Sequence, residues 1–147
     1  MTLISDLRLD IGDDEVIASG VSLRYTDAQL VGFLQKSARR INRILDLTDT
    51  TDEIAVSSSG VLTPTNTDFE DLVLLQAECL ISTREVQADL SSGGGGVVVK
   101  DGEQNIDTKQ RTASREAFYA SPHNPCAQLE LALKIEKVNR NSGKLVW

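Results

Sequence analysis

Few side chains in this 147-residue sequence have types and spacing suited to catalysis. The single histidine, His123, lies between Pro122 and Asn124 in a loop-like setting, and one imidazole leaves little scope for acid–base or metal work. Cys79 and Cys126 lack the close spacing of a metal or redox motif and read as free, buried thiols, with a disulfide as the alternative. The carboxylates Asp10, Asp13, Asp14 and Glu15 of "DIGDDE" are of the type calcium and magnesium use, but not at calcium-loop spacing, so they read as solvated charge at a helix end. Asp101, Glu103 and Asp107 read the same way. "SSGGGGVVVK" does not place its lysine as a phosphate-binding loop does, where lysine follows glycine and opens a helix. The expectation is a chain without catalytic residues, bound metal or cofactor.

Lys36, Arg39, Arg40 and Arg43 offer another kind of chemistry, a cationic face. It reads as solvated or salt-bridged charge, or as a contact for phosphate or for an acidic neighbour. A pI of about 4.7, scarce aromatics and the lack of a DNA-binding motif argue against sequence-specific nucleic-acid recognition. The net charge of -7 is uneven. Residues 48–90 hold nine acidic groups against Arg84 alone, whereas 26–47 and 113–147 are each net positive. The two signs can meet within one molecule or between copies.

The elements that must position these residues are mostly helices. "TDAQLVGFLQKSARRINRILDL" opens with a capping box, Thr26 and Gln29, and repeats Leu30, Leu34, Ala38, Ile41 and Leu45 on one face, with the cations opposite. A shorter helix is expected over 3–10, ending at Gly12. Residues 48–66, rich in Thr, Ser, Asp, Gly and Pro, read as a connector with at most a short extended segment. From Thr67, paired with Glu70 in a second capping-box spacing, a helix to Leu90 is apolar on nearly every side and is expected to be central. The glycines at 93–96 then lead to "VVVKDGEQNIDT", whose Asp101-Gly102 suits a tight turn, so a β-hairpin is expected there. Such a hairpin is marginal in isolation, and reads as either a loose surface loop or an arm docked on another subunit.

In the last third, "TASREAFY" reads as a short helix halted by Pro122. "LELALKIEKV" alternates like a strand, yet Asn124-Pro125 is a helix start, and Glu130–Lys134 and Glu136–Arg140 are favourable helical pairs. A helix over 125–139 is expected, followed by a tail over about 141–147. Charges at Asp6, Arg8 and Asp10 break up any secretory signal, and no apolar run reaches membrane-spanning length, so a protein made and kept in the cytoplasm is expected. The length suits one domain.

"LRLDIGD", "YTDAQLVGFLQKSARRINRIL", "LTPTNTDFEDLVLLQAECLI" and "VVVKDGEQNIDT" occur in that order, and with them the whole chain resembles the head-tail connector, or adaptor, family of tailed bacteriophages. The resemblance implies a mainly α fold: a single helical-bundle domain over 1–147 with a protruding β-hairpin arm at about 91–109. It further implies a non-enzymatic virion protein at the head–tail junction, assembled as a homo-oligomeric, twelvefold ring beneath the portal protein. That ring would extend the channel, touch packaged DNA non-specifically and dock the next tail or stopper protein. Val97, Val98, Val99, Lys100, Asp101, Gly102, Ile106 and Asp107 match the projecting segment and are expected to contact a subunit or the tail. Lys144, Leu145, Val146 and Trp147 are expected to contact the portal, and Lys36, Arg39, Arg40 and Arg43 to face the channel or a neighbour. The rival readings are a tail-completion or stopper component of the same virion, and a small nucleic-acid-binding regulator.

Overall fold

A computed structural model describes residues 2–13, 23–94 and 123–142. The described chain is mainly helical: α1 (Leu3–Asp10), α2 (Asp27–Ile44), a two-stranded antiparallel hairpin of β1 (Ala55–Val56) and β2 (Leu62–Thr63), α3 (Thr67–Gly94) and α4 (Pro125–Ser142). A small helical bundle carrying a hairpin is therefore the architecture.

α2 forms as its pattern predicts. Thr26 Oγ1 accepts from the Gln29 amide at 3.3 Å, while Gln29 Oε1 accepts from the Thr26 amide at 2.9 Å, closing the capping box. Leu30, Leu34, Ala38 and Ile41 are buried along one face, with Leu45 following. α3 is the spine, with α1, α2 and α4 all packed on it. That explains its lack of a single polar face. Its N-cap is Asn66, whose Oδ1 accepts from the Asp68 amide at 3.0 Å. Thr67, expected to cap, is already the first helical residue. One core gathers Leu7, Leu34, Ile41, Val73 and Ile81 together with Leu129 and Leu133 of α4.

The connector is more ordered than its composition suggests. β1 and β2 pair Ala55 with Thr63 and Val56 with Leu62, and bury Ile54, Val56 and Leu62. Gly60 closes the turn at φ +78°, and its carbonyl accepts from the Leu3 amide at 3.1 Å. A Cβ there would lie 2.6 Å from Ile4 Cγ1, so both backbone and space call for glycine.

Three expectations change. First, α3 continues to Gly94, so Ser91, Ser92, Gly93 and Gly94 are helical and not the start of a linker. Once a helix is nucleated, each added residue gains a bond at little further cost, which carries it into poor helix formers. The hairpin expected over 97–107, the short helix before Pro122 and the tail residues 143–147 lie outside the described residues. Second, α4 extends to Ser142, three residues past its expected end, and the strand-like alternation resolves as helix. Asn124 Oδ1 caps it by accepting from the Cys126 amide at 2.8 Å. Third, Cys79 and Cys126 are joined as a disulfide, not free. Packing the first turn of α4 against the middle of α3 brings their Cα atoms to 4.8 Å, within bonding range.

Candidate functional site

Two surfaces combine apolar or charged side chains with a lack of ion-pair partners among the described residues. The first is the outer face of α2. Lys36, Arg39, Arg40 and Arg43 are all exposed on the side opposite the buried leucines, and none joins an ion pair among the described residues. Gly32 lies on the same face. It has an ordinary backbone conformation, and a Cβ built there would meet nothing within 4 Å.

The second surface is a groove between α3 and α4 with a cavity volume of about 300 Å³. Leu72, Leu75 and Ala132 give it an apolar lining with Ile135 at its edge, and Asp68, Asp71 and Glu136 add carboxylates. None of those three carboxylates pairs with a cation among the described residues. From Ile135 the apolar surface runs onto the outside of α4. Leu131, Ile135 and Val138 are 61%, 54% and 65% exposed, at the one- and two-turn spacing of a single helix face. Leu129 and Leu133 are buried on another face of the same helix. Two apolar faces on one helix produce the every-second-residue pattern that imitates a strand.

Ion pairs fix the framework around these surfaces. Arg140 Nη2 lies 3.2 Å from Asp52 Oδ2, so it ties α4 to the connector and not to Glu136 as helical spacing suggested. That leaves Glu136 at the groove. Lys134 does pair with Glu130, at 2.8 Å, and this holds the Glu130 carboxyl below its ordinary range.

At the other end of the bundle Asp13 is 2% exposed, which overturns its reading as solvated helix-end charge. Its carboxylate accepts from the backbone amides of Arg24 at 2.7 Å and Tyr25 at 3.1 Å, and from Arg8 Nη1 at 3.0 Å. Arg8 also reaches Asp27 at 2.7 Å, on the first turn of α2. Arg24 Nη1 and the Tyr25 hydroxyl both meet Glu85 Oε1, at 3.0 and 2.9 Å. Burial, then the hydrogen bond to Glu85, pushes the Tyr25 phenol up to about 12. Nearby, burial beside Asp10 pushes the Glu78 carboxyl up to about 7.

Among the described residues no group of three or more His, Cys, Asp or Glu side chains could hold a metal ion, and no helix is long and apolar enough to cross a membrane. Of the expected contact residues, only the α2 cations are described, and they do form one exposed face. Val97, Val98, Val99, Lys100, Asp101, Gly102, Ile106 and Asp107 lie outside the described residues, as do Lys144, Leu145, Val146 and Trp147. Sequence reasoning missed the groove and the α4 stripe. The signal was present in Leu131, Ile135 and Val138, which repeat at helical spacing out of register with Leu129 and Leu133. Comparison with protein-family models, with curated proteins and with solved structures finds no match.

Proposed function

We propose that this chain is a structural protein of a tailed-phage virion, a head–tail connector whose copies assemble as a ring between the portal and the next tail component. The order of its sequence features supports the family, and one structural observation carries the assembly role. A single copy exposes Leu131, Ile135 and Val138 along one helix face, beside a groove whose carboxylates have no ion-pair partner among the described residues. An apolar stripe of this kind is more at home under a partner than in solvent. In this reading residues 97–107 contact a neighbouring subunit or the tail, and residues 144–147 contact the portal. No substrate is turned over and no cofactor is bound.

Electron microscopy of the purified protein, alone and mixed with a tailed-phage portal protein, tests the assignment. Rings, or rings seated on portal, are the expected result. Particles that stay single in both samples overturn it. The α2 cations favour a second reading, a nucleic-acid-binding protein, which requires salt-sensitive duplex binding by single particles.

A further inference from the structure

We propose that the cationic face of α2 seats in the α3–α4 groove of a second copy of this chain. Three features point to this occupant. The charges match: Asp68, Asp71 and Glu136 rim the groove, Lys36, Arg40 and Arg43 project from α2, and neither set has an ion-pair partner among the described residues of its own copy. Lys134, on the far side of the α4 stripe, is neutralised by Glu130 and does not oppose the approach.

The shapes also match. The groove and stripe present a ridge, Leu131 and Ile135, and α2 presents a notch at Gly32. Glycine within a helix is less favourable than alanine. Nothing among the described residues requires it at position 32, because the backbone is ordinary and no described atom lies within 4 Å of a Cβ built there. A close approach from outside the chain supplies the missing reason.

Finally, the placement allows propagation. α2 and α4 flank α3 as separate neighbours, so one copy has both surfaces available at once. Contacts joining different faces of successive copies either close a ring or extend. The pairing rests on the self-assembly part of the reading above, not on a location in a virion.

Sedimentation and light scattering test it with three full-length variants whose folding is checked by circular dichroism. K36E/R40E/R43E and D71K/E136K are each expected to weaken self-association roughly tenfold or more, and their equimolar mixture to restore it as a mixed assembly. Gly32→Leu separates fold from contact, since in about 1 M salt, where both proteins are monomers, it should hold or raise the melting temperature, and at low salt it should still weaken association. About 1 M salt, where the screening length falls to about 3 Å, should dissociate the wild type. Wild-type self-association that all three variants retain would sink this pairing and leave the assembly reading intact. A wild type that stays monomeric at all salt concentrations would overturn the pairing, and one that also forms no ring on portal would overturn the assembly reading as well. Monomers that bind a duplex oligonucleotide and lose it in K36E/R40E/R43E would give the α2 face to nucleic acid, overturning the pairing.

Discussion

Asn42 takes both hydrogen-bonding groups of the Ile54 backbone into its side-chain amide. Its Nδ2 donates to the Ile54 carbonyl at 2.7 Å, and its Oδ1 accepts from the Ile54 amide at 2.9 Å. Asn42 is 4% exposed, so the α2 side chain stands in for the strand that β1 lacks at this point. The connector is thus held to α2 by polar pairing as well as by its apolar residues.

Asn42→Ala leaves two buried backbone groups without partners. At about 1–3 kcal/mol for each group, a loss of roughly 2–6 kcal/mol is expected in urea unfolding. An unchanged midpoint would show that water replaces the amide.

Gly60→Ala is expected to destabilise by about 1–2 kcal/mol from the positive φ alone, with the contact to Ile4 adding to it. Pairing it with Ile4→Ala should recover the steric part and not the backbone part. Additive losses in thermal melts would contradict the close approach.

Asp13→Ala strands the Arg8 guanidinium and the amides of Arg24 and Tyr25 in a buried setting. Breaking such a cluster from one side costs about 3 kcal/mol or more. Asp13→Asn, which keeps an oxygen for one amide, should fall between mutant and wild type. Equal stability of all three forms would mean that the cluster is solvated.

Glu78 makes stability depend on pH in a defined direction. Its folded pKa, about 7, lies above the ordinary 4.5, so the native state binds the proton more tightly than the unfolded chain. Below pH 4.5 both states are protonated and the site costs nothing. Between 4.5 and 7 the folded state loses stability as pH rises, and above 7 that loss is complete. Glu78→Gln should flatten this part of the profile, gaining on the wild type at pH 8 and not at pH 4. Parallel profiles from chemical denaturation would show that burial does not raise the Glu78 carboxyl in the folded chain.

The Cys79–Cys126 bond closes a loop with a sequence separation of 47 residues. Loop-closure entropy at that length corresponds to about 4 kcal/mol. C79S/C126S, or the wild type under reductant, should unfold at markedly lower denaturant concentration. Identical midpoints would show that the unfolded chain gains nothing from the cut.

The helices were legible in the sequence because their signals are local. Thr26 and Gln29 announce α2 within four residues, and Asn124-Pro125 announces α4 against an alternation that mimics a strand. What escaped notice depends on residues far apart in the chain. Asn42 meeting Ile54, Arg140 choosing Asp52 over Glu136, and Cys79 finding Cys126 all follow from how helices pack, which no window of sequence contains. The burial of Asp13 was hidden for a similar reason. Its partners include Arg24 and Tyr25, eleven and twelve residues on, so "DIGDDE" looks like any solvated acidic end. The groove was invisible because its lining comes from two stretches, 68–75 of α3 and 132–139 of α4, more than fifty residues apart.

A partner seated on the stripe of Leu131, Ile135 and Val138 would link folding to dilution. It would bind the folded chain and not the unfolded one, so by mass action association would raise the melting point. If copies of this chain provide the cover, heat resistance is set by how much protein the tube holds, and a dilute sample melts before a concentrated one.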